Sequence, residues 1–180
     1  MTTPPEPGRP DDGEPRRDLP DPGFAGDDGS AAADVAAALR RYDADPATGY
    51  APALAALQAS RLLVPVVAVL GEVEVDDAGR THDKTSDMAT VLVTGKDGRT
   101  ALLAFTGTDA MRRWDPTARP VPVTAARAAE AALQDGADAV VVDIAGPVLL
   151  AVPGEDLHAL AAGQVLVEVS GRYGWARPGR

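Results

Sequence analysis

The sequence predicts a single α+β domain in which a mostly antiparallel, mixed sheet is packed by helices. Helical and extended segments occur in pairs rather than in strict alternation, and tight glycine-containing turns join several of the extended segments. The chain has 180 residues, enough for one domain with a sizeable core. We expect this domain to cover residues 30–169, between a tail at residues 1–29 and a flexible basic tail at residues 170–180.

The composition predicts a core of small aliphatic side chains. Hydrophobic residues make up 45% of the chain, but aromatic residues supply only 4%. Cysteine is absent, which excludes disulfides, thiolate metal sites and thiol catalysis. The N-terminal residues lack the basic and apolar regions of a secretory signal, and no apolar run is long enough to span a membrane. These features predict a cytoplasmic protein without membrane contact.

Charge is distributed unevenly along the chain, whose net charge is −10. Residues 1–30 hold eight acidic residues and three arginines, and large apolar side chains are scarce there. Such a segment buries too little apolar surface to offset the cost of ordering its backbone, so we expect residues 1–29 to be disordered. A negative domain without a basic stripe repels phosphate backbones, which argues against nucleic-acid binding.

The first elements are two predicted helices followed by a strand. An apolar stripe with helical spacing follows Ser30, a candidate N-cap, and we expect the helix to end at Asp45-Pro46. Its members are Val35, Ala38, Leu39 and Tyr42. A second helix is predicted over residues 52–60. The branched run at residues 62–70 predicts a buried strand, in which Pro65 must lie where no N–H donor is required.

The rest of the chain is predicted to form hairpins and short helices. Strands at residues 88–94 and 100–105 flank Gly95-Lys96-Asp97-Gly98, whose Asp-Gly pair is a strong hairpin signal. We expect helices at 108–114, 124–134 and 155–161, an extended segment at 119–123, and strands at 139–144, 147–152 and 165–169. Ala145-Gly146 is the predicted turn between the strands at 139–144 and 147–152.

Few residues offer chemistry for a metal or a phosphate. His82 lies near several acidic residues, but their spacing matches no recognised ligand set, and a solvated loop is the simpler interpretation. The acidic residues are Asp76, Asp77, Asp83 and Asp87. Strands flank the Gly95–Gly98 motif, whereas a phosphate loop requires a helix directly after it. We therefore expect neither a metal nor another cofactor.

Two segments remain as candidate sites. Ser86 beside Lys84 could form a nucleophile–base pair, although no oxyanion hole or glycine elbow accompanies it, and Ser86 and Asp87 could equally cap a turn. Thr106-Gly107-Thr108-Asp109 begins a short helix directly after a strand. This helix start could line a ligand pocket together with Arg113, or Asp109 could simply cap the helix.

Several blocks of the sequence resemble the SseB family in the form found in high-GC bacteria. They are Leu62-Leu63-Val64-Pro65-Val66-Val67-Ala68, Asp83-Lys84-Thr85-Ser86-Asp87-Met88-Ala89, Ala101-Leu102-Leu103-Ala104-Phe105-Thr106, Arg112-Arg113-Trp114 and Arg119-Pro120-Val121-Pro122-Val123. The resemblance is to the N-terminal domain of the family and covers roughly residues 19–169. The resemblance implies the fold of that domain, and it leaves the activity open because it points to no particular catalytic activity or cofactor.

The leading functional hypothesis is a non-catalytic module that binds a protein partner or regulates one. Its candidate binding residues are Lys84, Thr85, Ser86, Asp87 and Arg113. The acidic tail supports this hypothesis because such tails often engage partners. A small-ligand sensor is the first alternative, and a hydrolase-type enzyme that uses Ser86 and Lys84 is the second. The sequence predicts neither the identity of the partner nor an oligomeric state.

Overall fold

The computed structural model describes residues 24, 26–69 and 87–179, and at residues 68–69 and 87–89 it describes the backbone alone. The helices are α1 (Ala33–Ala44), α2 (Pro46–Gln58), α3 (Thr108–Trp114), α4 (Ala125–Gln134) and α5 (Gly154–Ala161). The strands are β1 (Arg61–Val69), β2 (Asp87–Thr90), β3 (Leu92–Thr94), β4 (Thr100–Ala104), β5 (Arg119–Thr124), β6 (Ala139–Val142), β7 (Leu150–Pro153), β8 (Val165–Val169) and β9 (Arg172–Ala176). The predicted α+β class is confirmed.

The strands form three sheets, with the orders β2-β1-β5, β3-β4-β6-β7 and β8-β9. Every pair is antiparallel except β4 with β6. The predicted hairpin across Gly95–Gly98 is confirmed as β3-β4, with Gly98 at a positive φ of 82°. The predicted strand at 88–94 is divided at Val91, because β2 pairs with β1 whereas β3 pairs with β4.

In the part of the chain that the structure describes, an isolated backbone pair connects the first two sheets. The N–H and C=O groups of Leu63 in β1 both bond to Phe105 at 2.8 Å, directly after β4. On the other side of β1, Leu63 lies opposite Pro122 and Pro65 lies opposite Pro120 of β5. In an antiparallel pair, the backbone N–H and C=O groups of every second residue point away from the partner strand. These prolines occupy such positions, so the missing N–H groups cost no hydrogen bond between β1 and β5.

The helices α1 and α2 pack closely against each other. Asp45 and Pro46 end α1 as expected, and they also begin α2, since the Asp45 side chain accepts a hydrogen bond from the Ala47 N–H and Pro46 occupies the first turn. The prediction of a second helix starting at residue 52 was therefore wrong by six residues. Gly49 permits the close approach, because a Cβ there would lie 2.4 Å from the Tyr42 Cα.

Two hydrophobic clusters form the core. The larger one lies where α1, α2, α4 and α5 pack on the sheet strands, and its most deeply buried members include Leu54, Leu57, Leu102 and Leu150. The smaller one surrounds Phe105 and lies beneath α3, where Met111 and Trp114 contact it. Small side chains, above all the alanines of α4, fill much of the larger cluster, in keeping with the composition.

The C-terminal segment differs from the expectation of a flexible basic tail at 170–180. Residues 172–176 form β9, which pairs with β8 around a turn in which Ser170 and Gly171 both have positive φ. This is the backbone of a two-residue hairpin turn, so Ser170-Gly171 was a turn signal that the sequence analysis missed. Trp175 packs on the main core and donates its indole N–H to Asp156 at 2.9 Å.

Residues 26–31 run across the start of β1 and the end of β4, and we call them the strap. Residues up to 29 are predicted from the sequence to be disordered, but hydrogen bonds attach Asp27, Gly29 and Ser30 to the domain. The predicted N-cap at Ser30 was also wrong, because Ala32 precedes the first turn of α1. Of the rest of the predicted tail, only Phe24 is among the described residues.

Candidate functional site

A cavity of about 370 Å³ lies beside the end of β4. Its walls are the strap, one side of α1, one side of α3 and the loop at residues 143–148. The apolar part of the lining consists of Ala31, Ala36, Leu39, Ala110, Pro147 and Val148. Polar groups are few and belong to separate elements of the fold, which is the usual composition of a small-molecule site.

Asp143 forms the polar floor of this cavity. One of its carboxylate oxygens accepts a hydrogen bond from the Thr106 N–H at 2.8 Å, and the other accepts from the Thr106 hydroxyl at 2.6 Å. Asp143 follows β6 with a positive φ of 55°, a conformation that aspartate tolerates better than most residues. Gly146 closes the turn, since a Cβ there would lie 2.6 Å from the Asp143 Cβ. The carboxylate is therefore held in one orientation.

Burial raises the pKa of the Asp143 carboxyl group. Only 2% of this residue is exposed, and removal from water disfavours the charged form. The hydrogen bonds from Thr106 and the positive charge of Arg113 lower the pKa and offset part of that effect. A strained, buried acid with a raised pKa beside a cavity is a physical mark of a functional site.

Two arginines and one aspartate lie around the mouth of the cavity. Arg113 of α3 donates its Nε–H to the Ala145 carbonyl oxygen at 3.1 Å, which aligns the side chain along the 143–148 loop. Arg40 of α1 lines the same cavity, and Asp109 lies one turn before Arg113. Within the part of the chain that the structure describes, neither arginine forms an ion pair.

Arg61 holds the strap in place as a wall of the cavity. Its guanidinium binds both oxygens of Asp27, at 2.6 and 2.8 Å, and also donates to the carbonyl oxygens of Ser30 and Thr106. This pairing with Arg61 lowers the pKa of the Asp27 carboxyl group. A further bond, from the Thr108 N–H to the Gly29 carbonyl at 2.8 Å, connects the strap to α3. The cavity thus depends on a charge pair that lies outside it.

The structure separates the two candidate segments of the sequence. Arg113 lies at the cavity together with Thr106 and Asp109. Lys84, Thr85 and Ser86 lie outside the described residues, and of Asp87 only the backbone is described, opposite Val69 at the far end of β1. At about 3.3 Å per residue, that end is roughly 26 Å from Arg61 along the strand. Asp87 and Arg113 therefore do not share a site.

The structure also addresses metal binding in the described residues. No three histidine, aspartate or glutamate side chains come together there as metal ligands would. His82 and the neighbouring Asp76, Asp77 and Asp83 lie outside the described residues.

The helices within residues 26–69 and 87–179 are all too short or too polar to cross a bilayer.

Sequence reasoning missed the residues that organise the cavity, namely Asp143, Arg61 and Asp27. Two of these residues, Asp143 and Arg61, had a weak signal in the sequence. Asp143 directly follows the apolar run of β6, and Arg61 directly precedes the apolar run of β1, so both are charged residues at the ends of buried strands. Nothing in the sequence indicated that Asp27 and Arg61, which are 34 residues apart, would pair.

We expect Asp143→Asn to keep the fold and to raise the melting temperature at pH 7 by a few degrees. Asparagine tolerates the positive φ, and its amide can accept from the Thr106 N–H and donate to the Thr106 hydroxyl. Because the pKa of Asp143 is raised in the folded state, its carboxyl group contributes most to stability below the ordinary carboxyl pKa of 3.8. The wild-type chain loses this contribution as pH rises through the raised pKa, whereas residue 143 of the variant does not titrate. Thermal unfolding between pH 3 and pH 8 measures the difference.

The variant Asp143→Ala distinguishes the contribution of the hydrogen bonds to stability from the contribution of the carboxylate charge. This variant leaves the buried Thr106 N–H without an acceptor, and we expect it to be about 2 kcal/mol less stable than Asp143→Asn at every pH. A stability difference between the wild-type chain and Asp143→Asn that does not change with pH would contradict the assignment of a raised pKa to Asp143.

The fold and the cavity define the class of the protein, an α+β domain that contains a mixed sheet and has an apolar cavity next to the end of β4. The family model described as SseB protein N-terminal domain matches residues 35–159, which is most of the chain. The chain belongs to the SseB family. No curated protein and no solved structure matches it. The strap and the β8-β9 hairpin lie outside the matched residues.

Proposed function

We propose that this domain is a non-catalytic binding module and that it holds a small molecule in the cavity between the strap, α1, α3 and the 143–148 loop. The cavity itself is the observation that carries the proposal. Its volume of about 370 Å³ falls in the range typical of ligand sites, and a few fixed polar groups converge on apolar walls.

The rigidity of the cavity supports a binding role. Asp143 is held by two hydrogen bonds, Gly29 is bonded to α3, and Arg61 makes contacts to both the strap and Thr106. Groups that are already fixed lose little conformational entropy when a ligand binds, so a small molecule can bind with useful affinity. The same module could pass the signal of ligand binding to a partner through the strap.

The groups around the cavity favour binding over catalysis. Both oxygens of Asp143 already accept from Thr106, and the Thr106 hydroxyl is committed to Asp143, so neither is poised for a substrate. His158, the histidine within the described residues, does not line the cavity. The alternative of an enzyme that uses Ser86 and Lys84 remains a hypothesis about residues outside the described ones.

We also propose a cytoplasmic location for the module.

A chemically diverse fragment screen by protein-observed NMR tests the proposal. We expect hits that shift the amide resonances of cavity residues, and we expect Ala36→Phe to abolish those hits because its benzyl group enters the cavity from α1. Ala37→Phe is the matched control, since Ala37 is equally half-buried on the same helix but does not line the cavity. A screen in which no fragment shifts cavity resonances would refute the proposal.

Protein binding is the second candidate function, and one observation favours it. The outer face of β8 carries Val165, Val167 and Val169, which are 39%, 37% and 66% exposed. Opposite them in β9 lie Ala176, Gly174 and Arg172, so the face is mainly apolar, with one positive charge at its Val169 end. A contiguous exposed apolar face of this kind is typical of a protein contact. We propose that a protein partner covers it.

Site-specific photocrosslinking in cells that produce the protein tests whether a protein partner covers the outer face of β8. A crosslinking residue at position 167 should give a discrete protein adduct, whereas one at Gln134, an exposed polar position on α4, should not. The same adducts at both positions would show collision rather than binding. The Lys84–Asp87 segment, the original candidate for a partner contact, can be tested in the same experiment with the crosslinker at position 86.

A further inference from the structure

The mouth of the cavity is rich in hydrogen-bond donors that have few protein acceptors. Of the donors on Arg113, Nε is bonded to the Ala145 carbonyl, and the described residues provide no acceptor for the rest. Arg40 makes no hydrogen bond to the residues that the structure describes. A guanidinium presents a planar fork that matches a carboxylate, and two such groups at one opening favour an anionic head group.

The floor of the cavity determines which way a ligand must point. The Asp143 carboxylate repels a negative group, so an anionic head group would stay at the mouth with Arg40 and Arg113. The walls between floor and mouth are apolar, with Leu39 and Val148 on two sides. The interior therefore suits a neutral, apolar body. Asp109 is also an exposed lining residue, and it reduces the positive charge at the mouth without reversing it, because two exposed arginines line the same cavity.

We propose that the cavity takes a small organic carboxylate, with its head group between Arg40 and Arg113 and its apolar body against Leu39 and Val148. This inference deepens the proposed function and rests on it. The partly apolar surroundings strengthen the charge-assisted bonds of the head group relative to bonds made in open water. The opposite charges of mouth and floor provide the selectivity, since a cationic head group would meet the two arginines.

Three probes of one shape test the charge preference. Benzoate, benzyl alcohol and benzylamine carry the same ring and differ in the charge of the head group. In NMR titrations of the full chain, we expect benzoate to shift the amide resonances of Ala31 and Ala110. We expect benzyl alcohol to bind about tenfold more weakly and benzylamine to cause no cavity shifts. Equal binding of all three, or preferential binding of benzylamine, would overturn the inference.

Neighbouring arginines on the same helices are matched controls. We expect Arg113→Gln and Arg40→Gln each to weaken benzoate binding about tenfold or more. Arg112→Gln and Arg41→Gln remove the same charge one residue away, outside the cavity lining, and should leave the affinity unchanged. Arg113→Lys keeps the charge without the fork and should bind with intermediate affinity. Equal losses in the paired variants would show a nonspecific charge effect and refute the head-group assignment.

The failure of this inference can be told apart from the failure of the proposed function. If neutral or cationic fragments shift the cavity resonances and carboxylates do not, the cavity is a ligand site and the carboxylate assignment is wrong. If no fragment of any charge shifts them, both proposals are wrong. The wild-type chain and the four glutamine variants should have matching spectra away from the substituted residue, which confirms that each variant is folded.

Discussion

Asp27→Ala is expected to lower the free energy of unfolding by about 3 kcal/mol and to detach the strap from the cavity. The Arg61 side chain is only 7% exposed, and removing its carboxylate partner leaves a buried charge without compensation. The effect is at the low end of the range for such a change, because the Ser30 and Thr106 carbonyls still accept from the guanidinium. Urea unfolding measures the stability, and hydrogen exchange of the Thr108 amide measures the release of the strap.

Asp28→Ala is the matched control for this prediction. Asp28 is the neighbouring carboxylate and among the described residues accepts hydrogen bonds only from nearby Ser30, so its loss should reduce stability far less than the loss of Asp27. Because the folded-state pKa of Asp27 is lowered, its contribution to stability is present above the ordinary carboxyl pKa of 3.8 and disappears as pH falls through the lowered value. Equal effects of the two substitutions would contradict the proposed role of the Arg61 pair.

Phe105→Ala is expected to lower the free energy of unfolding by about 4 kcal/mol. Phe105 is fully buried at the backbone pair that joins the two sheets, and its ring lies 5.7 Å from that of Trp114. Its removal leaves a void beneath α3, where Met111 also packs. Because α3 carries Arg113, we expect ligand binding at the cavity to weaken together with stability.

Val121→Ala is the control for the loss of apolar volume, because Val121 is 40% exposed on β5 and should lose about 0.5 kcal/mol or less. Phe105→Leu retains most of the volume and should recover more than half of the stability lost in Phe105→Ala. The expected readouts are urea unfolding and faster exchange of the α3 amides. Exchange that is unchanged in α3 would show that Phe105 does not support this helix.

The elements that sequence reasoning predicted well are those whose signals are local. The β3-β4 hairpin follows from Asp97-Gly98, since the glycine supplies a positive φ at no steric cost. Helix α4 follows from Thr124, whose side chain accepts from the Arg127 N–H, and from the alanine stripe behind it. In both cases the groups that interact lie within a few residues of one another.

The elements that were predicted poorly depend on partners far along the chain. Residues 172–176 lack a strong strand pattern, and β9 forms because Trp175 finds Asp156 on α5 and the main core at the same time. The strap was assigned to a disordered tail because its own residues bury little surface. It is ordered by Arg61, whose partners are Asp27 and Ser30 of the strap and Thr106 directly after β4.

The sequence by itself determined the α+β class, most of the helices and hairpins, the small aliphatic core and the resemblance to the SseB family. These follow from periodicity, turn chemistry and composition, which act over short stretches of chain. Only the tertiary structure decided that Asp143, Arg113 and the strap enclose one cavity. Pairing and burial of charges depend on which distant segments meet, and in water each of these residues alone is an ordinary exposed charge.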